Sequence, residues 1–516
     1  MNLSIYKHML LCCIVIVIFI SCSKFDQINT NPDTTNTARS EWLATSMLGS
    51  ITVSDISSQK AFAQPFMLGK YTIWKEGGPE SMQYNRFGRI DFNRLTVLRN
   101  VEPMIANAPS EALKNSYTAL GHFIRAWQFF QTTMRVGDIP YSEAIKGESD
   151  KNIKPKYDSQ KDVFKGILNE LDQADELFKT GSDFSGDIIY QGKIEKWRKL
   201  VNSFQLHVLM NLFKKTADAD LNVIGRFQKI VAERPLMDDY NDNFAVTYQN
   251  AAGSCYPWSN TPVQTNPFII YSALTTTFVN PLKANQDRRL FYVAEPARAK
   301  ISAGGSASSF DSYLGLEPSN TMATIVAAYD AGNFSDFNKR YVELFNAESV
   351  GLLCVWDIKF LLAEATVRGW ISGTTAQAYY AAGIQQSMKF LVNFTPIAYR
   401  HGVTMDDAYI NTYPSTAGIA LTGSSENQIK QIITQKYLAG FLQNCDYNAW
   451  YENRRTGYPE FVLNSATNLN TPSTKFPLRW LYPSTELTNN SENLDAAIQS
   501  QYSGNDNVNE TMWLLK

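Results

Sequence analysis

The sequence predicts a mainly α-helical protein: antiparallel helix pairs forming a scaffold, with a large loop-rich face and few short strands. Three observations predict it. Apolar residues recur at three- and four-residue steps through six long windows, the period of an amphipathic helix. Some of these windows follow one another closely, as in helix hairpins stacked side by side. Between them lie long segments rich in Asn, Ser, Thr, Gly and Pro, at 71–90, 180–192, 241–267, 299–322, 397–425 and 455–485. Loops of that length in a compact body usually carry function.

The chain opens on a targeting segment. Lys7 and His8 lead into an apolar run from Met9 to Ile20, followed by Ser21-Cys22-Ser23. This is the layout of a secretory signal, and the run is shorter than the ~20 residues a bilayer span needs. A small residue directly before Cys22 marks a bacterial lipoprotein signal, although Phe19 stands where a Leu-type residue is usual. The Cys22 thiol is then acylated and the chain is cut before it. Residues 1–21 are read as the signal peptide, 22–40 as a lipidated polar tether and 41–516 as a single helical body with long loop insertions. The expected place is the membrane surface, outside the cytoplasm, with only the lipid in the membrane.

The helices follow in order. Leu113, Tyr117, Leu120, Ile124 and Trp127 form one stripe along 111–134. Ser159 with Asp162 reads as a capping-box start for a helix over 160–179, with Phe164, Ile167, Leu168 and Leu171 on its buried face. A third helix covers 193–215 through Trp197, Leu200, Val201 and Phe204. A fourth (353–369) and a fifth (375–393) are separated by a short turn, and a sixth starts at Ser425, boxed with Gln428. Tetratricopeptide units stack such pairs, but no strict 34-residue period is present, so any repeats are degenerate. Residues 244–249 read as a short strand.

Composition narrows the function. The 516 residues hold 47 basic and 49 acidic side chains, with no basic stripe, which argues against nucleic acid. Cys255, Cys354 and Cys445 are widely spaced and read as small buried hydrophobes, not a disulfide framework. His122, His207 and His401 are scattered, without metal spacing. No nucleophile elbow, phosphate loop or dinucleotide fingerprint occurs. From Asp239, oxygen-bearing residues fall at the first, third and fifth places of a calcium loop, but Phe244 and Asn250 replace its Gly and Glu. A solvated turn is the better reading. No catalytic residue, metal or cofactor is expected, and no motif supports a structural calcium.

Two loops concentrate rings among polar residues. Tyr71, Trp74, Tyr84 and Phe87 surround Lys75-Glu76-Gly77-Gly78-Pro79, and a second loop reads Cys255-Tyr256-Pro257-Trp258-Ser259-Asn260. Flat rings beside amide and guanidinium donors suit a sugar, whose C–H face packs on the ring while its hydroxyls hydrogen-bond. They would also suit an extended peptide, or simply pin the loops to the helical body. Trp74, Tyr84, Tyr256 and Trp258 are the candidate contact residues.

An ordered set of motifs runs through nearly the whole chain: Asp26-Gln27-Ile28-Asn29-Thr30-Asn31-Pro32, Gly137-Asp138-Ile139-Pro140-Tyr141-Ser142-Glu143-Ala144, and Asp187-Ile188-Ile189-Tyr190 with Lys196-Trp197-Arg198. Phe360-Leu361-Leu362-Ala363-Glu364-Ala365, Trp450-Tyr451-Glu452-Asn453-Arg454-Arg455 and Pro477-Leu478-Arg479-Trp480 complete it. In this set the chain resembles the SusD/RagB-like family of Bacteroidetes outer-membrane nutrient-binding lipoproteins. The resemblance implies a non-enzymatic surface protein on a scaffold of four tetratricopeptide-like helix pairs. It further implies a lid on a TonB-dependent (SusC-like) transporter barrel, capturing oligosaccharide or, in some branches, peptide. A surface hydrolase and a ligand-free scaffold or adhesin are the alternatives. The motifs themselves read as architecture. Gly137 and Pro140 end a helix, and Glu364 inside an apolar helix requires a partner such as an Arg of the 454–455 pair.

Overall fold

The computed structural model describes residues 38–516 apart from 55, 57–62, 77–79, 252, 260–265 and 444–446. Cys22, the signal, the tether as far as residue 37, and Cys445 lie outside the described residues.

Helix α1 (Ser40–Gly49) precedes the first long pair, α2 (Glu111–Val136) and α3 (Gln160–Thr180). Their caps follow from sequence: Ser110 Oγ accepts from the Leu113 amide, and Ser159 Oγ from the Asp162 amide. The predicted stripe of α2 is its buried face, with Tyr117, Leu120, Ile124 and Trp127 in the core. Gly137 closes α2 at φ +94° and ψ −121°, a region open to glycine. A Cβ there would sit 2.0 Å from Gln501 Oε1.

α3 packs on α4 (Ile194–Asn211), which packs on α5 (Val223–Glu233). The predicted third helix stops at Asn211 and tightens into a 3₁₀ turn over Phe213–Lys215. Asp187 anchors the turn before α4. Its carboxylate accepts from the amides of Ile189, Tyr190 and Gly192 and from Trp197 Nε1. The Asp187–Trp197 motif is therefore structural.

A second long pair, α6 (Val355–Val367) and α7 (Ala376–Phe394), joins through residues 368–375, and α6 also packs on α8 (Ser425–Ala439). The cap of α8 is Ser424, one residue before the predicted start; adjacent serines are interchangeable as sequence signals, and backbone geometry chose the first. α9 (Asn448–Thr456) and α10 (Ser491–Tyr502) follow, and shorter helices such as Thr276–Ala284 and Met322–Asp330 lie in the connecting segments. No described helix is long and apolar enough to cross a membrane.

The described strands form two antiparallel pairs. β1 (Thr72–Trp74) pairs with β3 (Ser272–Leu274), Trp74 opposite Ser272. β2 (Phe244–Val246), shorter than the predicted 244–249, pairs with β4 (Val350–Leu353) through an irregular register. One large core joins Ala44 to Leu514 through all the helix pairs. A small satellite core of Ile73, Ala273, Leu316, Ile325, Tyr329 and Phe334 lies under the loops. The acids of the calcium-like segment are spent otherwise: Asp238 on Lys359 (2.6 Å), Asp242 on Lys199 (2.8 Å), and Asp239 on the Asn241 amide. No group of three His, Cys, Asp or Glu arranged for a metal occurs among the described residues.

Candidate functional site

The β1–β3 pair carries the site. Alternation along a strand sends Ile73 into the satellite core and Trp74 to the other side. The end of β1 is fixed on both sides: the Trp74 amide donates to Gln83 Oε1 (2.9 Å) and the Lys75 amide to the Tyr271 carbonyl (2.8 Å). Trp74 is half-buried, edge-on to Phe268 (5.9 Å between centroids) and tilted against Tyr271 (5.6 Å).

Beside it, Lys75 Nζ lies 3.8 Å from the centroid of Tyr329 and 3.6 Å from Asp330 Oδ1. Tyr329 stacks on Phe334 at 4.0 Å, and the exposed Arg298 lies over Phe334 at 5.4 Å. Two cations thus roof two buried rings, a favourable placement over the negative ring face.

This strip ends at a cavity of about 500 Å³, walled by Pro296, Ile301, Phe337 and Val342 and by the charged Arg298 and Asp336. Three acids face it. Glu295 accepts from the Lys339 amide (2.9 Å) and lies 3.4 Å from His401 Nε2, and Glu343 accepts from the Tyr399 hydroxyl (3.0 Å). The Asp336 carboxylate has no hydrogen-bond or ion-pair partner among the described residues, and its Oδ1 is sealed from solvent. Burial pushes its carboxyl up to about 8, against the pull of Arg298 and Lys75. The site therefore offers a half-buried ring, a cationic roof beside it and, beyond the roof, a cavity of small-ligand size with an unused acceptor.

Of the sequence candidates, only Trp74 is not buried. Tyr84 is nearly buried and its hydroxyl donates to the Asn320 carbonyl (2.8 Å). Tyr256 and Trp258 are fully buried. Trp258 stacks on Phe268 at 4.3 Å, and Tyr256 meets Trp258 and Tyr341. The structure does bring three of the four together, as a file of rings from Trp74 at the surface through Phe268 to Trp258 and Tyr256. Rings enclosed on every side present no face to a ligand, so Tyr256 and Trp258 are packing residues that brace the face from behind. Sequence reasoning missed Arg298, Tyr329 and Asp336. The only cue was an acid set among rings in Asn333-Phe334-Ser335-Asp336-Phe337.

Stacked helix pairs beneath a loop-built, ring-bearing face define a scaffold protein of the tetratricopeptide-like class. The chain belongs to the SusD-like family described as starch-binding and associating with the outer membrane, whose family model matches residues 33–483. A solved SusD homologue from Bacteroides fragilis NCTC 9343 is 42% identical, with a TM-score of 0.88 over 93% of this chain and 100% of that one. A second from the same organism is 33% identical, with a TM-score of 0.80 over 93% and 100%. A chitin-binding SusD homologue from Flavobacterium johnsoniae shares the fold at 20% identity, with a TM-score of 0.69 over 92% and 98%. No curated protein matches the chain.

Proposed function

We propose that the protein is a surface-exposed nutrient-binding lipoprotein, held to the outer membrane by an acyl group on Cys22. It captures an oligosaccharide on the Trp74 face and delivers it, as a lid, to a TonB-dependent transporter barrel. It binds its cargo without transforming it. The observation that carries this reading is the half-buried Trp74 beside a strip, Lys75–Tyr329–Phe334–Arg298, that leads to a cavity whose Asp336 carboxylate has no partner. The C–H face of a sugar ring would pack on the indole, and its hydroxyls would donate to Asp336. The family's description as starch-binding and the chitin-binding relative favour sugar over peptide.

Titration calorimetry with maltohexaose and chitohexaose tests the reading. Trp74→Ala should weaken the bound sugar by about tenfold or more, as loss of a central aromatic contact does. Unchanged affinity removes the site from Trp74, and new reducing ends in the mixture refute a purely binding role. A barrel transporter should accompany the protein when it is purified from solubilised membranes; its absence refutes delivery.

A further inference from the structure

A second concavity lies where β2 runs out into Thr247, between the C-terminal end of α7 and the segment 344–349. Two cavities of about 330 and 300 Å³ meet there, sharing Thr247, Asn393 and Phe394. Each alone reaches the lower end of the ~300–1,000 Å³ of small-ligand sites. The segment 342–346 lies between them and the Asp336 cavity: Val342 and Glu343 line the Asp336 cavity, and Leu344 and Asn346 the 300 Å³ one.

Hydrogen-bonding capacity here is unspent. The side chains of Thr247, Asn346, Ser349 and Asn393 have no partner among the described residues. Asn243 is buried with only 7% exposure. Its Oδ1 accepts from the Val355 amide (2.8 Å), capping α6, while its Nδ2 donates to nothing. Buried polar groups are normally satisfied, so an orphan donor in a cleft wall points to a missing acceptor.

The formal charges, in contrast, are spent. Lys193 holds Asp183 (2.6 Å), Lys196 donates to the Asn241 carbonyl (2.8 Å), and Glu348 is bound by Arg340 and by Gln443 Nε2 (2.7 Å). Two half-buried rings line the cleft, Tyr240 and Phe394, both resting on Phe390 at 6.2 and 4.7 Å. Wall charges that already have partners, free amides and hydroxyls, and propped rings match a neutral, hydroxyl-rich ligand.

We propose that this cleft is a second carbohydrate site. A short neutral oligosaccharide packs its ring faces on Tyr240 and Phe394, and its hydroxyls bond Thr247, Asn346, Ser349 and Asn393. The site is independent of Trp74.

The test is calorimetry with maltotriose and chitotriose on the Trp74→Ala protein. One of the two sugars should still bind. Adding Asn393→Ala or Thr247→Val, both at exposed positions, should weaken that residual binding about three- to tenfold each. Phe394→Ala should weaken it about tenfold or more. Because Phe394→Ala also strips packing from Phe390, the Asn393 and Thr247 variants decide the matter. Absence of residual binding for both sugars, or residual binding that Asn393→Ala and Thr247→Val leave unchanged, overturns the proposal.

Discussion

Arg455 lays its two terminal nitrogens on the two oxygens of Glu364, at 2.6 Å each, across 91 residues of chain. Glu452 takes a second contact from the same guanidinium (2.6 Å), Lys436 caps Glu452 (2.8 Å), and Arg368 adds a contact to Glu364 (2.7 Å). Burial alone would raise the Glu364 carboxyl; the charge and hydrogen bonds of Arg455 overcome it and hold the group below its usual range. The network locks α6 to α9 inside the core. Arg455→Met leaves two buried carboxylates short of their main partner, and breaking such a pair costs about 3–5 kcal/mol. Urea denaturation of the variant measures this, and a loss under about 1 kcal/mol contradicts the role.

The need for that partner was legible in sequence. A carboxylate among Phe360, Leu361, Leu362 and Ala363 must be paired, and Arg454-Arg455 was the nearest candidate in kind. The helices were legible too, because apolar spacing and Ser or Thr caps are local signals. The site was less so. The Trp258 loop and the Trp74 loop look alike in composition, and only the fold shows that one turns inward onto Phe268 while the other stays outward. The pairing of Phe244 with Leu353 and the isolation of Asp336 depend on contacts distant in the chain. No local pattern encodes them.

The two tryptophans should therefore separate in their effects. Trp258→Ala removes a fully buried indole from between Phe268 and Phe337 and should cost about 3–5 kcal/mol of stability. Trp74→Ala, at a half-exposed position, should cost under about 1.5 kcal/mol and act mainly on ligand affinity. Thermal unfolding of the two variants side by side checks the contrast. Equal destabilisation would place both rings in the same environment.

His207 makes stability depend on acid. Its ring packs on Phe130 and Phe204, and its Nδ1 is buried without a partner. Burial, aided by the charges of Lys436 and Arg455, lowers its pKa to about 3. An unfolded imidazole takes a proton near 6.5, so from there down to about 3 the unfolded state holds the extra proton. Stability falls as pH falls, by up to about 1.4 kcal/mol per pH unit from this group. His207→Phe should flatten that limb between pH 6.5 and 5 in denaturant titrations. An unchanged slope would show that other groups set it.

Asp336 produces the opposite dependence. Its folded-state pKa is raised from 3.8 to about 8 by burial. Between those values the folded carboxyl keeps a proton that the unfolded one has released. Its contribution is favourable at low pH and is lost as pH rises toward 8, because an ionised carboxylate must then sit unpaired beside the apolar wall of the cavity. Asp336→Asn keeps the shape and removes the charge. The variant should be more stable than the parent at pH 8, by about 1–3 kcal/mol, with the difference closing toward pH 4. A sugar hydroxyl bonded to the carboxylate would favour its charged form and pull the pKa down, so binding at pH 7 should release protons. Calorimetry in two buffers of different ionisation enthalpy reads that release directly. A variant no more stable than the parent at pH 8 would mean that Arg298 already neutralises the group, and proton-neutral binding would mean that the ligand does not reach Asp336.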